Sequence, residues 1–185
     1  MRLFVSVDLD GLAGAIRSVQ ELLSGASGLR LTDPDGAHVT LKFLGETDPQ
    51  RLPALAEQLE RAVEESGVES FDTEFGGVGV FPSLESISVV WVGVRAGTDQ
   101  FTRLHEAIER RTTAVGFDPE DHEFTPHVTV ARMDHAGGKE LVQSVVENRD
   151  PTVGEMSVST VSLTESELGQ SGPEYSTVAA FELGG

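Results

Sequence analysis

Two short segments of the chain each bring a histidine and a threonine to the same side of a predicted strand. They begin at His38 and His127 and read HVTLKFLG and HVTVARM. Residues two apart in a strand face the same side of a sheet, so His38 shares a face with Thr40, and His127 with Thr129. Val and Thr also favour strands for packing reasons alone, so a purely structural origin of one such motif is the simpler reading.

Two imidazoles that face each other can catalyse phosphodiester hydrolysis near pH 7 without a metal ion. The neutral ring takes a proton from the attacking water, and the charged ring gives one to the leaving oxygen. The hydroxyls of Thr40 and Thr129 can donate hydrogen bonds to the non-bridging oxygens, where negative charge grows in the transition state. Arg132, five residues after His127, adds a permanent charge that neutralises a phosphate.

Four further residues are weaker candidates for substrate contact. Strict strand alternation places Lys42 on the face of the first motif, which predicts a phosphate contact; the alternative is a solvated cation at a strand end. Phe43, Phe124 and Tyr175 could stack on a terminal base, as single-stranded RNA ends are often held. Each could equally pack in the core, because the chain has only nine Phe, one Trp and one Tyr.

The remaining histidines and one glycine run do not predict a site. His122 lies between acidic residues, but the spacing matches no zinc pattern such as His-Glu-x-x-His, so we expect a solvated loop and no metal. His105 is expected on the flank of a helix and His135 in a loop. The run Gly76-Gly77-x-Gly79 is not followed by a helix, which favours a bend in a strand over a phosphate loop.

Strands and helices are predicted to mix without strict alternation, which indicates an α+β fold with antiparallel sheets. The order of elements repeats approximately, and a duplicated fold with a pseudo-twofold axis would bring both His-Thr pairs to one cleft. Hydrophobic periodicity predicts strands over 2–9, 38–44, 71–81, 87–94, 127–133, 153–164 and 175–183, and helices over 12–24, 48–66, 98–115 and 139–147.

Composition limits the classes of function. The 185 residues predict one domain spanning 1–185, and the absence of Cys excludes disulfide scaffolds, thiolate nucleophiles and Cys-rich zinc sites. No apolar run is long enough for a membrane span and no signal peptide is recognisable, so we expect a soluble cytoplasmic protein, and we expect a monomer. The net charge of -18, with 31 acidic and 13 basic residues, disfavours duplex nucleic acid and is typical of halophilic proteins.

The sequence resembles the RNA 2′,3′-cyclic phosphodiesterase family, also called 2′-5′ RNA ligases, of the two-histidine (2H) phosphoesterase superfamily. That superfamily carries two His-x-Thr/Ser-x motifs, matched by residues 38–41 and 127–130, and Ala131-Arg132 matches the usual end of the second motif. The matching segments run in order along almost the whole chain: RLFVSVDL, HVTLKFLGE, FGGVGVFP, VVWVGV, FTPHVTVAR and ESELGQSGPEYSTVAAFEL.

The resemblance implies a bilobal fold with two pseudo-symmetric antiparallel lobes, outer helices and the histidines in the groove between the lobes. It also implies hydrolysis of a 2′,3′-cyclic phosphate at an RNA 3′ end to a 2′-phosphate, with no metal and no cofactor. His38 would be the general acid for the departing O3′, and His127 would be the base that activates water.

Three alternatives stay open at the level of sequence. The same site could ligate RNA ends, such as tRNA halves, through a 2′-5′ linkage, or it could open small cyclic nucleotides. Outside enzymes, the groove could simply bind RNA ends. The presence of both imidazoles and both hydroxyls speaks against mere binding, which does not require them.

Overall fold

A computed structural model describes all residues from Met1 to Gly185. Its four α-helices are α1 (Ala13–Leu22), α2 (Leu52–Ser66), α3 (Thr98–Ala114) and α4 (Lys139–Asn148). The strands are β1 (Arg2–Asp8), β2 (Leu29–Leu31), β3 (His38–Glu46), β4 (Phe71–Pro82), β5 (Ile87–Ala96), β6 (His127–Met133), β7 (Thr152–Val158), β8 (Thr160–Gly169) and β9 (Gly172–Glu182).

The strands form one continuous antiparallel sheet, in the order β7-β4-β5-β6-β3-β1-β8-β9, with the short β2 paired to β6. β3 and β6 lie at its centre and are joined by the pairing of Val39 with Val128. The expected α+β class with antiparallel strands is confirmed. The two expected lobes are the two halves of this one sheet rather than two separate sheets.

We call β3, β1, β8 and β9 with helices α2 and α3 the first lobe, and β6, β5, β4, β7 and β2 with α1 and α4 the second lobe. Helix α3 contacts β3 and α2, whereas α1 contacts β6 and β7, and α4 contacts β4. Each helix therefore covers the side of the sheet away from the first-motif and second-motif threonines. None of the helices combines the length and the apolarity required to cross a bilayer.

The helices bury the apolar stripes that periodicity predicts. In α2 the buried stripe includes Leu55, Leu59 and Val63, and in α3 it includes Phe101, Leu104 and Ile108. Burying side chains of this size stabilises a fold by about 1.5–3 kcal/mol each, which fixes the helices against the sheet. The helix predicted over 48–66 begins with a short 3-10 turn that leads into α2, in which the Asp48 carboxylate accepts a hydrogen bond from the Gln50 N–H.

The predicted strands differ from the structure in two respects. The strand expected over 153–164 is two strands, because the chain leaves β7 at the edge of the second lobe and crosses at Ser159 to β8 in the first lobe. Alternating hydrophobicity continues through this crossing, so the pattern carries no sign of it. The three-residue β2 is too short to show a strand period and lies outside the predicted strands.

Candidate active site

His38 and His127 are the first residues of the two central strands, β3 and β6. The register that pairs Val39 with Val128 sets His38 opposite Thr129 and Thr40 opposite His127. All four side chains point to the face opposite the buried valines, by the alternation of a strand. The structure thus brings both predicted His-Thr pairs together in the groove between the lobes.

Both imidazoles are held in the same tautomer by the same local bond. His38 Nδ1 lies 2.8 Å from the carbonyl oxygen of Gly36, and His127 Nδ1 lies 2.6 Å from that of Thr125. A carbonyl oxygen only accepts, so Nδ1 carries the hydrogen in each ring. Nε2 is left as the reactive nitrogen of both histidines, which is what an acid/base pair requires.

Each histidine ring lies between two aromatic side chains. The ring-centroid distances are 4.9 Å to Phe4 and 5.3 Å to Tyr175 for His38, and 5.0 Å to Phe81 and 5.9 Å to Trp91 for His127. The edge-on contacts of Tyr175 and Phe81 have interplanar angles of 83° and 87°. These walls restrict ring rotation and reduce the access of water to the imidazoles.

Burial lowers the pKa of both histidines below the ordinary value, because the charged ring loses solvation. The surrounding charges differ between the two sites. Asp8, paired with His38 across β1 and β3, opposes the fall in the pKa of His38. Around His127 the nearby charges of His38, Arg132 and His122 are all positive and lower its pKa further. Arg132 also lowers the pKa of His38, so the carboxylate of Asp8 is the charge that distinguishes the surroundings of His38 from those of His127.

A bulge follows the threonine of the first motif. Thr40 pairs with Ser6 and Lys42 pairs with the adjacent Val5, so Leu41 is one residue more than the facing strand provides. A bulge of this kind interrupts the alternation of side chains. Lys42 consequently lies on the helix side, and Phe43 is returned to the groove side, where it is 60% exposed.

The second motif has a bulge at the equivalent position. Thr129 pairs with Trp91 and Ala131 with the adjacent Val90, which leaves Val130 as the extra residue. Ala131 is fully buried, and Arg132 is exposed. Phe43 and Arg132 therefore occupy matching places, each three residues after the motif threonine. The guanidinium of Arg132 forms no ion pair in this acidic protein and lies close enough to both catalytic candidates to affect their titration.

The predicted phosphate contact of Lys42 is wrong. Its side chain is 1% exposed, and Nζ lies 3.0 Å from Glu109 Oε2 on α3 and 2.5 Å from the carbonyl oxygen of Asp118. The bulge at Leu41 turns the side chain to the face opposite Thr40, where no substrate in the groove can reach it.

Phe124 and the three histidines outside the two motifs are not among the side chains that β3 and β6 bring to the groove. Phe124 stacks on His105 with ring centroids 4.2 Å apart, so it packs inside the protein, and His105 is buried rather than flanking its helix. His122 is exposed beside Asp121, and no group of three or more His, Asp or Glu side chains is arranged to hold a metal ion. His135 accepts a hydrogen bond from the Gly137 N–H.

A cavity of about 190 Å³ opens beside His38. Its lining includes Phe4, Asp8, Asp35, Thr164 and Tyr175, and it contains no lysine or arginine. A larger hollow of about 460 Å³ lies between α1 and residues 149–152, and no histidine borders it. The smaller cavity is the one next to the candidate chemistry, and its carboxylate and hydroxyl oxygens can accept hydrogen bonds.

Sequence reasoning missed Asp8, Phe4 and Trp91 as neighbours of the histidines. In the sequence, Phe4 and Asp8 are visible only as members of an apolar-polar alternation in the first strand. Their place beside His38 follows from the pairing of β1 with β3, and a single sequence gives no sign of which strands pair.

Comparison with known proteins shows the same arrangement of elements elsewhere. The family model described as "2'-5' RNA ligase superfamily" matches residues 9–170. Similar proteins named "RNA 2',3'-cyclic phosphodiesterase" include one from Methanothermobacter thermautotrophicus, 34% identical with 99% of both chains covered. Another, from Aeropyrum pernix, is 38% identical over 81% of this chain and 84% of its own length.

Solved structures agree with the fold. A crystal structure of a Thermus thermophilus protein has a TM-score of 0.80 at 28% identity, covering 99% of this chain and 98% of that one. A crystal structure of E. coli LigT complexed with 3'-AMP has a TM-score of 0.76 at 22% identity, covering 98% and 97% of the two chains. At that identity the second likeness concerns the fold alone.

Proposed function

Because the chain belongs to the 2'-5' RNA ligase superfamily, we propose that it is an RNA 2′,3′-cyclic phosphodiesterase, a hydrolase that opens the cyclic phosphate at RNA 3′ ends to a 2′-phosphate. Relatives at 34% and 38% identity, matched over 99% and 84% of their own lengths, carry that name. The observation that carries the proposal is the pair of imidazoles on one face of the adjoining strands β3 and β6, each with Nδ1 bound to a backbone carbonyl and Nε2 available for proton transfer.

We assign the general base to His127 and the general acid to His38. Neutral His127 takes a proton from water as the water oxygen forms its bond to phosphorus. The bond from phosphorus to O3′ breaks at the same centre, and protonated His38 gives its proton to that oxygen. The product is a 2′-phosphate with a free 3′-hydroxyl. Asp8 beside His38 and the positive surroundings of His127 support this direction over the reverse.

Thr40, Thr129 and Arg132 are assigned to the phosphate. The two hydroxyls lie on the histidine face of their strands, where they can donate to non-bridging oxygens as the charge on these oxygens increases. Arg132 offers two parallel N–H donors to the same oxygens, and its lack of a carboxylate partner leaves the guanidinium available. Together they supply the positive potential that the rest of this acidic surface lacks.

The nucleoside is placed on the His38 side of the phosphate. O3′ must lie within hydrogen-bond reach of His38 Nε2 for proton transfer, which brings the ribose to the first lobe. Phe43 is 60% exposed there and offers a face for a stacked base, a contact that is worth about 1–3 kcal/mol per base in single-strand binding proteins. Tyr175, 43% exposed, borders the adjacent cavity and is the second candidate.

The decisive experiment is incubation of an RNA oligomer that ends in a 2′,3′-cyclic phosphate, in the presence of EDTA, followed by mapping of the retained phosphate. We expect a 2′-phosphate and a free 3′-hydroxyl, formed by the wild-type protein and not by His38→Ala. Binding of the oligomer without phosphate opening would favour a module that only holds RNA ends.

Ligation and opening of small cyclic nucleotides are the enzymatic alternatives. Ligation would use the same site with an RNA 5′-hydroxyl in the place of water: its oxygen forms the bond to phosphorus while the bond from phosphorus to O3′ breaks. Adding a 5′-hydroxyl oligomer to the same reaction and measuring the 2′-5′ product tests the first alternative. Comparison of a cyclic mononucleotide with the oligomer tests the second, since equal kcat/KM for the two would mean that the rest of the RNA makes no contact.

A further inference from the structure

The two bulges that shape the groove each turn a backbone carbonyl inward, to the helix side of the sheet. These are the carbonyl groups of Leu41 and Val130, the extra residues of β3 and β6. A bulge leaves its extra residue outside the ladder, so its carbonyl needs a partner from elsewhere. In both lobes a buried polar side chain of a helix donates a hydrogen bond to that carbonyl.

In the first lobe the partner is His105 of α3. Its Nδ1 lies 2.7 Å from the carbonyl oxygen of Leu41, and the side chain is only 8% exposed. The acceptor is a carbonyl, so His105 Nδ1 is the donor. The same ring stacks on Phe124, one residue before Thr125, whose carbonyl orients His127.

In the second lobe the partner is Gln20 of α1. Its Nε2 donates to the carbonyl oxygen of Val130 at 3.0 Å and to that of Thr32 at 2.8 Å, and the side chain is 4% exposed. The Thr32 N–H also donates to the Val130 carbonyl, at 3.1 Å. Both hydrogens of the Gln20 amide are thus used on backbone carbonyls beside the groove.

The two donors occupy equivalent places. Helix α1 follows β1 and helix α3 follows β5, and β1 and β5 flank β3 and β6 on opposite sides of the sheet centre. Each helix crosses to the other lobe and places a hydrogen-bonding side chain, Gln20 or His105, among its buried apolar residues. Burying a polar group is costly unless it is bonded, and in both helices the bond is to a bulge carbonyl.

We propose that His105 and Gln20 are positioning residues that hold the two strands in their bulged registers. This inference rests on the proposed function. A strand without the bulge would follow period-two alternation and turn Phe43 and Arg132 to the helix side. Removing His105 takes its donor from the Leu41 carbonyl, and removing Gln20 leaves the Val130 carbonyl with the Thr32 N–H alone. Each loss weakens the bulged register, so the groove residue beyond that bulge loses its place.

We expect the loss of Gln20 and the loss of His105 to weaken different substrate contacts. Arg132 follows the Val130 bulge, so Gln20 affects the phosphate contact. Phe43 follows the Leu41 bulge, so His105 affects the nucleoside contact. A merely structural role would lower thermal stability in both cases without distinguishing ligands.

The test compares donor-removing variants with matched buried controls. Gln20→Met keeps the side-chain length and removes both donors, and His105→Phe keeps the stack on Phe124 and removes the Nδ1 donor. His105→Asn loses the stack but keeps an N–H near the position of Nδ1. The controls are Thr112→Val and Thr73→Val, in which a buried hydroxyl bonded to Ile108 or Ala96 is lost away from the bulges.

Calorimetry measures the affinities of each variant for inorganic phosphate and for a nucleoside 2′-monophosphate. The kcat for hydrolysis of the cyclic-ended oligomer is measured in parallel. All measurements are made at a temperature at which circular dichroism shows that the variant is fully folded. We expect Gln20→Met to weaken inorganic phosphate about fivefold or more and to lower kcat about tenfold. We expect His105→Phe to leave phosphate affinity within about twofold and to weaken the nucleotide about fivefold, with recovery in His105→Asn.

Variants that match the threonine controls in affinity and kcat, and differ from wild type only in melting temperature, would overturn the inference. If Gln20→Met does not fold, Gln20→Asn, which keeps a shortened amide, is measured instead, and an unchanged phosphate affinity in it counts against the inference. A wild-type protein that binds both ligands but hydrolyses no cyclic phosphate would refute the proposed function, while the pattern of affinities would still decide the positioning roles. A wild-type protein that binds neither ligand would overturn both.

Discussion

The two histidines share a tautomer and a local geometry, but the charges beside them differ. Asp8 raises the pKa of His38, whereas Arg132 lowers the pKa of both rings and His122 lowers that of His127. This difference breaks the near-symmetry of the site, and the proposed assignment of acid and base rests on it.

Loss of either imidazole removes one of the two proton transfers. We expect His38→Ala and His127→Ala each to lower kcat by about 10² or more, with the fold retained, because general acid or base catalysis contributes that much. Single-turnover hydrolysis of a cyclic-ended oligomer measures the effect. His135→Ala, in a loop outside the groove, is the control, and near-normal turnover by either active-site variant would refute its catalytic assignment.

The pKa values of the two histidines determine how activity depends on pH. Since burial lowers the pKa of both histidines below the ordinary value of 6.5, we expect kcat/KM to follow a bell with its maximum at or below about pH 6.5. Activity is lost on the acid side as the base His127 is protonated, and on the alkaline side as the acid His38 loses its proton. A flat profile from pH 5 to 9 would contradict paired histidine catalysis.

Asp8 governs the alkaline limb of that bell. In Asp8→Asn the carboxylate that raises the pKa of His38 is gone, so this pKa falls and the alkaline limb moves to lower pH. The acid limb, which belongs to His127, stays nearly in place. Asp10→Asn, two residues further along, is the matched control. Equal movement of both limbs, or of neither, would show that Asp8 does not act on His38.

At the scale of elements, the bulges decide which side chains reach the groove. Strand alternation correctly predicted that each histidine shares a face with its threonine, because regular strand geometry holds between them. It failed at Lys42, because the extra Leu41 reverses the order beyond that point. Arg132 faces the groove for the same reason, since in a regular strand it would share the buried face of Val128 and Val130.

Sequence periodicity therefore predicts the helices and most strands, but it does not predict which strands pair with each other. The motifs and their shared strand position could be read from residue types alone. The partners of each strand, the crossing at Ser159 and the neighbours of His38 depend on which strands pair, and local pattern does not contain that information. Gln20 is an example: it lies within the helix predicted over 12–24, but only the structure shows its bond to the Val130 carbonyl.

The Lys42–Glu109 ion pair links β3 to α3, and we expect it to contribute to stability. Lys42→Met leaves the Glu109 carboxylate without its cation, so we expect the free energy of unfolding to fall by about 3 kcal/mol, and Glu109→Gln added to it to restore part of the loss. Urea denaturation measures both. Lys139→Met, at the only other lysine, is the control.

The same variant tests the corrected place of Lys42. Under native conditions we expect Lys42→Met to bind inorganic phosphate within about twofold of the wild-type affinity, because Nζ lies on the far side of the sheet. A loss of phosphate affinity comparable with that of Arg132→Ala would contradict the buried position.

At the scale of the whole molecule, the net charge of -18 opposes the approach of RNA. The Debye length falls from about 10 Å at 0.1 M salt to about 3 Å at 1 M, so salt screens the long-range repulsion more than the contacts in the groove. We expect the KM for a cyclic-ended oligomer to hold or fall between these concentrations, in keeping with the proposed halophilic character. A cyclic mononucleotide, with less charge, is the comparison, and activity that declines steadily from 0.1 M would contradict this expectation.

The exchange of elements between the lobes has a further consequence. The residues before β5 form β1 and β3 of the first lobe, but they also form α1 and β4 of the second lobe. The later residues form α3, β8 and β9, which belong to the first lobe. Neither half of the polypeptide forms a complete hydrophobic core by itself, and each half contains only one of the two proposed catalytic histidines. A half-length ancestor with this connectivity would have reached two-histidine chemistry only as a swapped homodimer, and joining the two copies end to end would have made that partnership permanent.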